Sequence, residues 1–304
     1  MRILLTGSNG FIGKNLVNNL SDNHKIVACS RKTVNFKNNV KNLIVSDLDS
    51  LKFEDFYKVD VLVHAAGIAH KSLSLSVKKQ ITEVNINKTE RLFLLARKAG
   101  VKKIIFLSSV SVYGELTNLK GVNELNRLNP ANYYAFSKKK NEDFLIKISK
   151  NSNLTYTILR LPLVYGRNAP GSFESINRYI NKKYFFPIPV LDNENQRTFC
   201  NVQNISDKIE EVLENINSST IMNIVNPDSF STFALISSVL KRRRNHVLRI
   251  PVNDFFNKLL LRIPFLNNFY KKYYSNFVVS SIHHKAIFED VDFSTINDVG
   301  KFLK

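Results

Sequence analysis

Tryptophan is absent and cysteine nearly so: the 304 residues hold only Cys29 and Cys200. Two thiols cannot build a disulfide framework, and no Cys/His cluster has zinc-ligand spacing, so no metal is expected. No apolar run approaches the roughly 18 residues of a membrane span. The opening Met1-Arg2-Ile3-Leu4-Leu5-Thr6-Gly7 reads as a strand entering a glycine turn, its apolar stretch being too short for a leader. Acidic residues are scarce as well, 25 Asp and Glu against 44 Lys and Arg, which leaves a net charge of +19. Nucleic acid, an anionic membrane surface and anionic small ligands could each answer that charge. The basic residues are scattered except for Lys241-Arg242-Arg243-Arg244, and no nucleic-acid-binding signature accompanies them. The expected class is a cytoplasmic protein with reduced thiols and no nucleic-acid partner.

What is present is apolar and alternating. Apolar residues make up 44% of the chain, enough for a sizeable core and too many for disorder. Strand-like runs at residues 1–6, 24–29, 43–45, 60–66, 104–107 and 155–159 alternate with helical spacing at 11–21, about 75–99 and 131–149. Near-continuous apolar strands separated by helices predict an α/β fold, a Rossmann-like doubly wound parallel sheet covered on both faces. After about residue 166 prolines punctuate shorter elements, which predicts a smaller, irregular substrate-binding lobe over 167–304, with some segments returning to the first domain.

The first strand leads into Thr6-Gly7-Ser8-Asn9-Gly10-Phe11-Ile12-Gly13, and a helix follows. Glycines at 7, 10 and 13 let the backbone turn sharply, approach a pyrophosphate and pack helix against strand, while the helix N-terminus aims its free N–H groups at phosphate. Dinucleotide binding through Gly7, Asn9, Gly10, Phe11, Ile12 and Gly13 is therefore expected. An acid at the end of the second strand would bond the adenosine ribose and favour NAD. The strand ends instead in Ala28-Cys29-Ser30-Arg31-Lys32. Ser30, Arg31 and Lys32 suit a 2′-phosphate, so NADP(H) is favoured, with NAD(H) left open.

Tyr134-Ala135-Phe136-Ser137-Lys138 opens a helix, which sets Tyr134 and Lys138 one turn apart on one face. A nearby ammonium lowers a phenol's pKa toward the range useful for proton transfer. Upstream, Ser108-Ser109-Val110-Ser111-Val112-Tyr113-Gly114 ends the fifth strand, where substrates meet an open α/β sheet. The glycine turn, the serine segment and the Tyr-Lys pair, in that order, resemble the extended short-chain dehydrogenase/reductase superfamily and its sugar-nucleotide epimerase/dehydratase branch. The resemblance implies Ser109, Tyr134 and Lys138 as the catalytic set, with Tyr134 and Lys138 also touching the cofactor. Ser108 and Ser111 read as structural hydroxyls, Ser111 also standing beside the substrate. Asp47 and Leu48 match the segment near the adenine, and Ala65-Ala66 the small-residue turn beside the cofactor. Pro162 belongs to the segment over the nicotinamide. Val84-Asn85-Ile86-Asn87-Lys88-Thr89 matches the family's V-N-x-x-G-T with Lys88 in place of Gly, a packing position.

Many 4,6-dehydratases of the family carry Asp-Glu directly after the catalytic hydroxyl residue. Val110 and Ser111 stand there instead and cannot supply a carboxylic acid and base. Pro187-Ile188-Pro189-Val190-Leu191-Asp192-Asn193 and the stretch Arg197 to Ile205 look like the bacterial reductases that make UDP-N-acetylquinovosamine from its 4-keto precursor. Arg197 then matches an arginine that contacts the diphosphate, and Asn168 a substrate-loop residue in a loop reaching Ser172. The expected function is reduction of a 4-keto nucleotide-activated amino sugar for surface polysaccharide. The alternatives are a UDP-hexose or UDP-N-acetylhexosamine 4-epimerase, on a lipid-linked sugar if not a free one, and a non-catalytic dinucleotide-binding protein. A homodimer is expected. His283-His284 and Lys241 to Arg244 read as solvated surface. The stretch Phe255 to Val279 reads as helical, with peripheral membrane contact as its other reading.

Overall fold

In the computed structural model, Ile3, Leu4 and Leu5 are fully buried in β1 (Arg2–Thr6), the strand on which the rest of the sheet is arranged. The structure describes residues 1–36, 39–69, 74–115, 120–171, 185–191, 195–225, 229–231, 234, 246–252 and 275–283. β1 pairs in parallel with β2 (Lys25–Ser30) and with β4 (Val61–His64), placing Thr6 beside both Cys29 and His64. β3 (Val40–Ile44) extends one side, while β5 (Lys103–Ser109), β6 (Thr155–Leu161) and β10 (Thr220–Asn223) extend the other. The seven parallel strands run in the order β10-β6-β5-β4-β1-β2-β3. The order reverses at β1 and β4, and ligands of such sheets bind outside the strand C-termini at that crevice. The α/β fold read from the alternation is thus the one observed.

Helix α1 (Phe11–Leu20) follows β1, and α4 (Tyr133–Ser149) links β5 to β6. Asn132 starts α4 by accepting a hydrogen bond from the Ala135 N–H at 2.9 Å. The stretch expected as one helix over 75–99 is three pieces: α2 (Leu75–Ile81), a wider π-turn over Thr82–Asn87, and α3 (Lys88–Lys98). Leu4, Leu62, Phe93, Ile104, Phe106, Leu145 and Ile158 meet in one core cluster beneath these helices. Phe93 packs edge-on against Phe106 with centroids 5.6 Å apart.

The chain divides into two units. The first comprises Met1–Gly114, Arg127–Leu161 and Val202–Ile224. Its last segment brings back α5 (Val202–Glu214) and β10, and α5 packs on α1, where His24 Nε2 lies 2.7 Å from Glu210. Lys103 is fully buried at the start of β5 and donates to the carbonyls of Asn215 and Ser218 at 3.2 and 2.5 Å, fixing the turn before β10.

The second unit comprises Glu115–Asn126, Pro162–Asn201 and Val225–Lys304. Its described strands are β7 (Leu163–Tyr165), β8 (Phe185–Leu191), β9 (Arg197–Asn201), β11 (Ser229–Phe230) and β12 (His246–Val252). β9 joins β7 and β11 in one small sheet, and β8 pairs in parallel with β12. Among the described residues no helix is long and apolar enough to cross a membrane.

Candidate active site

Gly7 leaves β1 with a φ of +74°, a conformation that disfavours every side chain. A Cβ there would also stand 2.7 Å from the backbone nitrogen of Ala66, just after β4. The two turns singled out in the sequence, 7–13 and 65–66, are therefore in contact at the point where strand order reverses. Gly13 is equally constrained, since a Cβ on it would run into the Gly7 carbonyl. Gly10 starts α1, with no side chain capping the helix and no acid in its first turn. The exposed Gly10 and the partly exposed Asn9, Phe11 and Ile12 surround N–H groups whose partial positive charge neither a capping side chain nor a first-turn acid offsets. That donor set fits a pyrophosphate.

At the end of β2 the Ser30 hydroxyl turns inward and donates to the Lys32 carbonyl at 2.5 Å. Arg31 and Lys32 are exposed. Ser30 thus braces its own turn, and the basic pair is an ordinary surface turn. Asp47 caps the short turn Leu48–Ser50, accepting from the Asp49 N–H at 2.7 Å. Its other carboxylate oxygen is held at 2.7 Å by Lys88, which also lies 3.4 Å from Asp49. The departure at Lys88 is therefore an electrostatic clamp on Asp47, and it holds the carboxyl below its usual range and the ammonium above its own.

Ser109 ends β5, and Tyr134 and Lys138 lie in the first turns of α4, all within the first unit. The Ser109 hydroxyl accepts from the Ser111 hydroxyl at 2.9 Å and from the Ser111 N–H at 3.2 Å, and it engages the Tyr134 phenol. Tyr134 keeps part of its surface exposed, yet burial pushes its phenol up to about 12 against the smaller opposing effect of Ser109. The lowered phenol expected from Lys138 is not what the chain's own groups produce. Lys138 donates to the Leu107 carbonyl at 2.8 Å and lies 4.6 Å from the centre of the Phe106 ring, leaving Nζ 5.8 Å from the Tyr134 centroid. Burial lowers Lys138 to about 8, with Glu142 opposing. The buried His64, bonded to Thr6 at 2.7 Å and Thr89 at 3.1 Å, is driven to about 3 by burial and by Lys138, so it stays neutral.

Asn85 is placed by the π-turn. Its side chain bonds the Ile68 N–H at 2.7 Å and the Ile68 carbonyl at 2.9 Å, while its own carbonyl takes a bond from Asn141 of α4. Ile81, Val84 and Leu92 keep helical spacing through the turn, so the sequence gives no sign of it.

In the second unit, Pro162 is buried directly after β6. Asn168 is exposed at a φ of +65°, in a turn closed by the Ala169 N–H on the Gly166 carbonyl at 3.1 Å. Arg197 bonds the Ser275 carbonyl at 3.0 Å and packs over Phe277, and burial lowers it to about 10. Ser172, Asp192, Asn193, Lys241 to Arg244, His284 and most of 255–279 lie outside the described residues. Among those described, no group of three or more His, Cys, Asp and Glu could hold a metal.

A match to the NAD dependent epimerase/dehydratase family covers residues 3–226. The chain belongs to that family. The UDP-glucose 4-epimerase of Vibrio cholerae is 33% identical over 218 residues, 68% of this chain and 65% of that protein. The chain thus matches slightly less than two thirds of that relative's length. The UDP-glucuronic acid 4-epimerase of Bacillus cereus, solved with NAD, has the same fold at a TM-score of 0.80, with 19% identity and coverage of 100% and 97%. MoeE5, solved with UDP-glucose and NAD, superposes at 0.78 with 18% identity and the same coverage.

The family and these structures overturn the expectation of NADP(H), since the family is NAD dependent, both of these structures hold NAD, and a further solved relative holds it as well. NAD is the favoured cofactor. The physical reason lies at the end of β2, where the Ser30 hydroxyl is already bonded to Lys32 and Arg31 is a solvated arginine. The 2′-phosphate role of Ser30, Arg31 and Lys32 falls with the expectation.

Proposed function

We propose that this protein is an NAD-dependent 4-epimerase of a nucleotide-activated sugar, serving the supply of surface-polysaccharide precursors. The observation that carries the reading is the convergence of Ser109, Tyr134 and Lys138 at the C-terminal edge of β5, in the same unit as a turn fitted to pyrophosphate. On this reading Gly7, Asn9, Gly10, Phe11, Ile12 and Gly13 hold the pyrophosphate. Asp47 and Leu48 flank the adenine, Ala65, Ala66 and Pro162 line the cofactor, and Lys138 holds the nicotinamide ribose. Asn168 and Arg197 are the substrate-side candidates, and Arg197 reaches a diphosphate only by sharing its guanidinium with Ser275.

NAD, when bound, supplies the redox couple and, in its oxidised form, a positive charge. Tyr134 removes the proton from the sugar O4 hydroxyl and returns it to the same oxygen once the opposite face of C4 has been presented. Ser109 holds O4 throughout: Ser111 fills its acceptor side with two bonds, so its one hydrogen, given to the Tyr134 phenol in this structure, turns to O4 when the sugar binds. The Lys138 ammonium favours the phenolate that the first proton transfer needs.

Support for a one-way reductase rested on the missing acid after β2, on NADP and on the likeness of residues 187–193 and 197–205 to the 4-keto reductases, and the first two grounds fall with the correction to NAD. Two of the relatives named above are themselves called 4-epimerases. A dehydratase would need an acid and a base beside Ser109, where Val110 is buried and the Ser111 hydroxyl is bonded to Ser109. The test is incubation of a panel of UDP- and dTDP-hexoses and N-acetylhexosamines with substoichiometric NAD, and in parallel of their 4-keto forms with NADH or NADPH, read by proton NMR at C4. Formation of a 4-epimer is the expected result. Turnover confined to 4-keto sugars, with reduced dinucleotide consumed, would return the reductase.

A further inference from the structure

Behind the Ser-Tyr-Lys cluster lies a second, wholly buried set of charges. Glu142 is one helical turn beyond Lys138 on α4, and its side chain is 1% exposed. Arg160 on β6 is 4% exposed and approaches it from Nη2 at 2.7 Å and from Nε at 3.2 Å to both oxygens. Ser108, the residue before Ser109, donates to Glu142 at 2.5 Å. The other arm of the guanidinium donates from Nη1 to the Tyr113 phenol at 2.7 Å. Tyr113 in turn donates to Asn223 of β10 at 3.0 Å, and the Arg160 carbonyl accepts from the Ile224 N–H at 3.1 Å.

We propose that the Glu142–Arg160 pair positions the catalytic groups, fixing Ser109 against Tyr134 and Lys138. Ser108 and Tyr113 bracket the short turn Val110–Tyr113, and both are gripped by this one pair. The segment carrying Ser109 and Ser111 is therefore pinned at its two ends to the helix that carries Tyr134 and Lys138. Stability does not require such a pair, because well-packed apolar residues of similar volume commonly serve as well in a core. Directional bonds from one carboxylate on α4 to β5 and β6 do what apolar packing cannot: they set the register of three elements at once.

The pair also adjusts the charge felt by Lys138. The groups facing its ammonium are the neutral His64 from β4, Tyr134 from the preceding turn of α4 and Glu142 from the following one, with Arg160 of β6 partly offsetting Glu142. The carboxylate is the group that sustains the ammonium against burial.

This inference rests on the catalytic reading of Ser109, Tyr134 and Lys138, and its test has an arm that needs no turnover. The affinity for NAD is measured by titration calorimetry across pH, with Lys138→Met identifying the inflection due to Lys138. In Glu142→Gln that inflection moves to lower pH, whatever sugar the enzyme uses. With an accepted sugar, kcat falls about 10- to 100-fold, KM changes little, and the alkaline limb of kcat shifts the same way. Ser108→Ala keeps the ion pair and loses one bond to β5, so kcat falls several-fold with the inflection unmoved. A folded Glu142→Gln protein with the parent inflection and parent kcat overturns the proposal. Should Glu142→Gln not fold, Ser108→Ala decides: an unchanged kcat overturns it and a several-fold loss supports it. Absence of turnover on every sugar would sink the epimerase reading, and the NAD arm would still decide the role of Glu142.

Discussion

The Ser111 hydroxyl donates to the Ser109 hydroxyl at 2.9 Å, and the Ser111 N–H reaches the same oxygen at 3.2 Å. Ser111 thereby sets the direction of the one hydrogen Ser109 has to give. Ser111→Ala removes the side-chain bond and keeps the N–H. At about 1 kcal/mol for a hydrogen bond, the expected loss in kcat is roughly 5-fold. Steady-state kinetics of Ser111→Ala and Ser109→Ala side by side check this, and Ser109→Ala should be the more damaged.

Tyr134→Phe removes one hydroxyl and leaves the helix intact. Loss of a positioned general acid and base typically costs about 10²–10⁴-fold in rate, so kcat should fall by that range while NAD affinity holds. Tyr133→Phe is the control: its hydroxyl bonds Thr82 at 2.7 Å, away from Ser109, so activity should stay near the parent's. The reverse pattern in measured kcat would mean that the motif is out of register by one residue.

On the proposed mechanism Lys138 works as an ammonium, and burial brings it down to about 8. Activity should therefore decline as pH rises through that region, because the proton lost there is the charge that favours the phenolate. The same shift has a stability consequence. The folded group loses its proton at lower pH than the unfolded one, so between about 8 and the ordinary lysine value near 10.4 the unfolded chain binds more protons. Lys138 therefore adds stability as pH rises through that window, and its buried charge costs stability in full below it. Replacing Lys138 with Met should flatten that part of a denaturation profile and abolish the alkaline limb's origin together with most activity.

Lys88 bonds Asp47 while Asp47 caps the Leu48–Ser50 turn, so the ammonium steadies the segment assigned to the adenine. In Lys88→Ala, NAD should dissociate about 3- to 10-fold more readily with kcat nearly unchanged, since a partly exposed ion pair contributes on the order of 1 kcal/mol. Fluorescence titration with NAD at low and high salt checks both parts, because salt should narrow the gap. Tighter binding by the variant would mean that Lys88 competes with the adenine for Asp47.

The sheet was readable because parallel strands buried on both faces leave apolar runs, as in Val61-Leu62-Val63 and Ile104-Ile105-Phe106-Leu107. The glycine turn was readable because its positions are set by backbone geometry, and the contact between Gly7 and Ala66 shows why. What escaped notice depends on partners distant in sequence. Lys88 meets Asp47 across 41 residues, and Arg160 meets Glu142 across 18, through side chains that no periodicity marks. α5 and β10 follow strands of the second unit in the chain yet belong to the first, and a four-residue strand after a helix resembles any short apolar run. The Ser30 hydroxyl misled most directly, because its bond to Lys32 is invisible until the turn is folded.

The most direct test of the account uses a nucleotide sugar deuterated at C4 in a single turnover with bound NAD. Epimerisation through Tyr134 at O4 predicts a 4-epimer with the deuterium back on C4 of the sugar, and no labelled reduced dinucleotide free in solution. Deuterium accumulating on released reduced dinucleotide, with the sugar left as its 4-keto form, would contradict it.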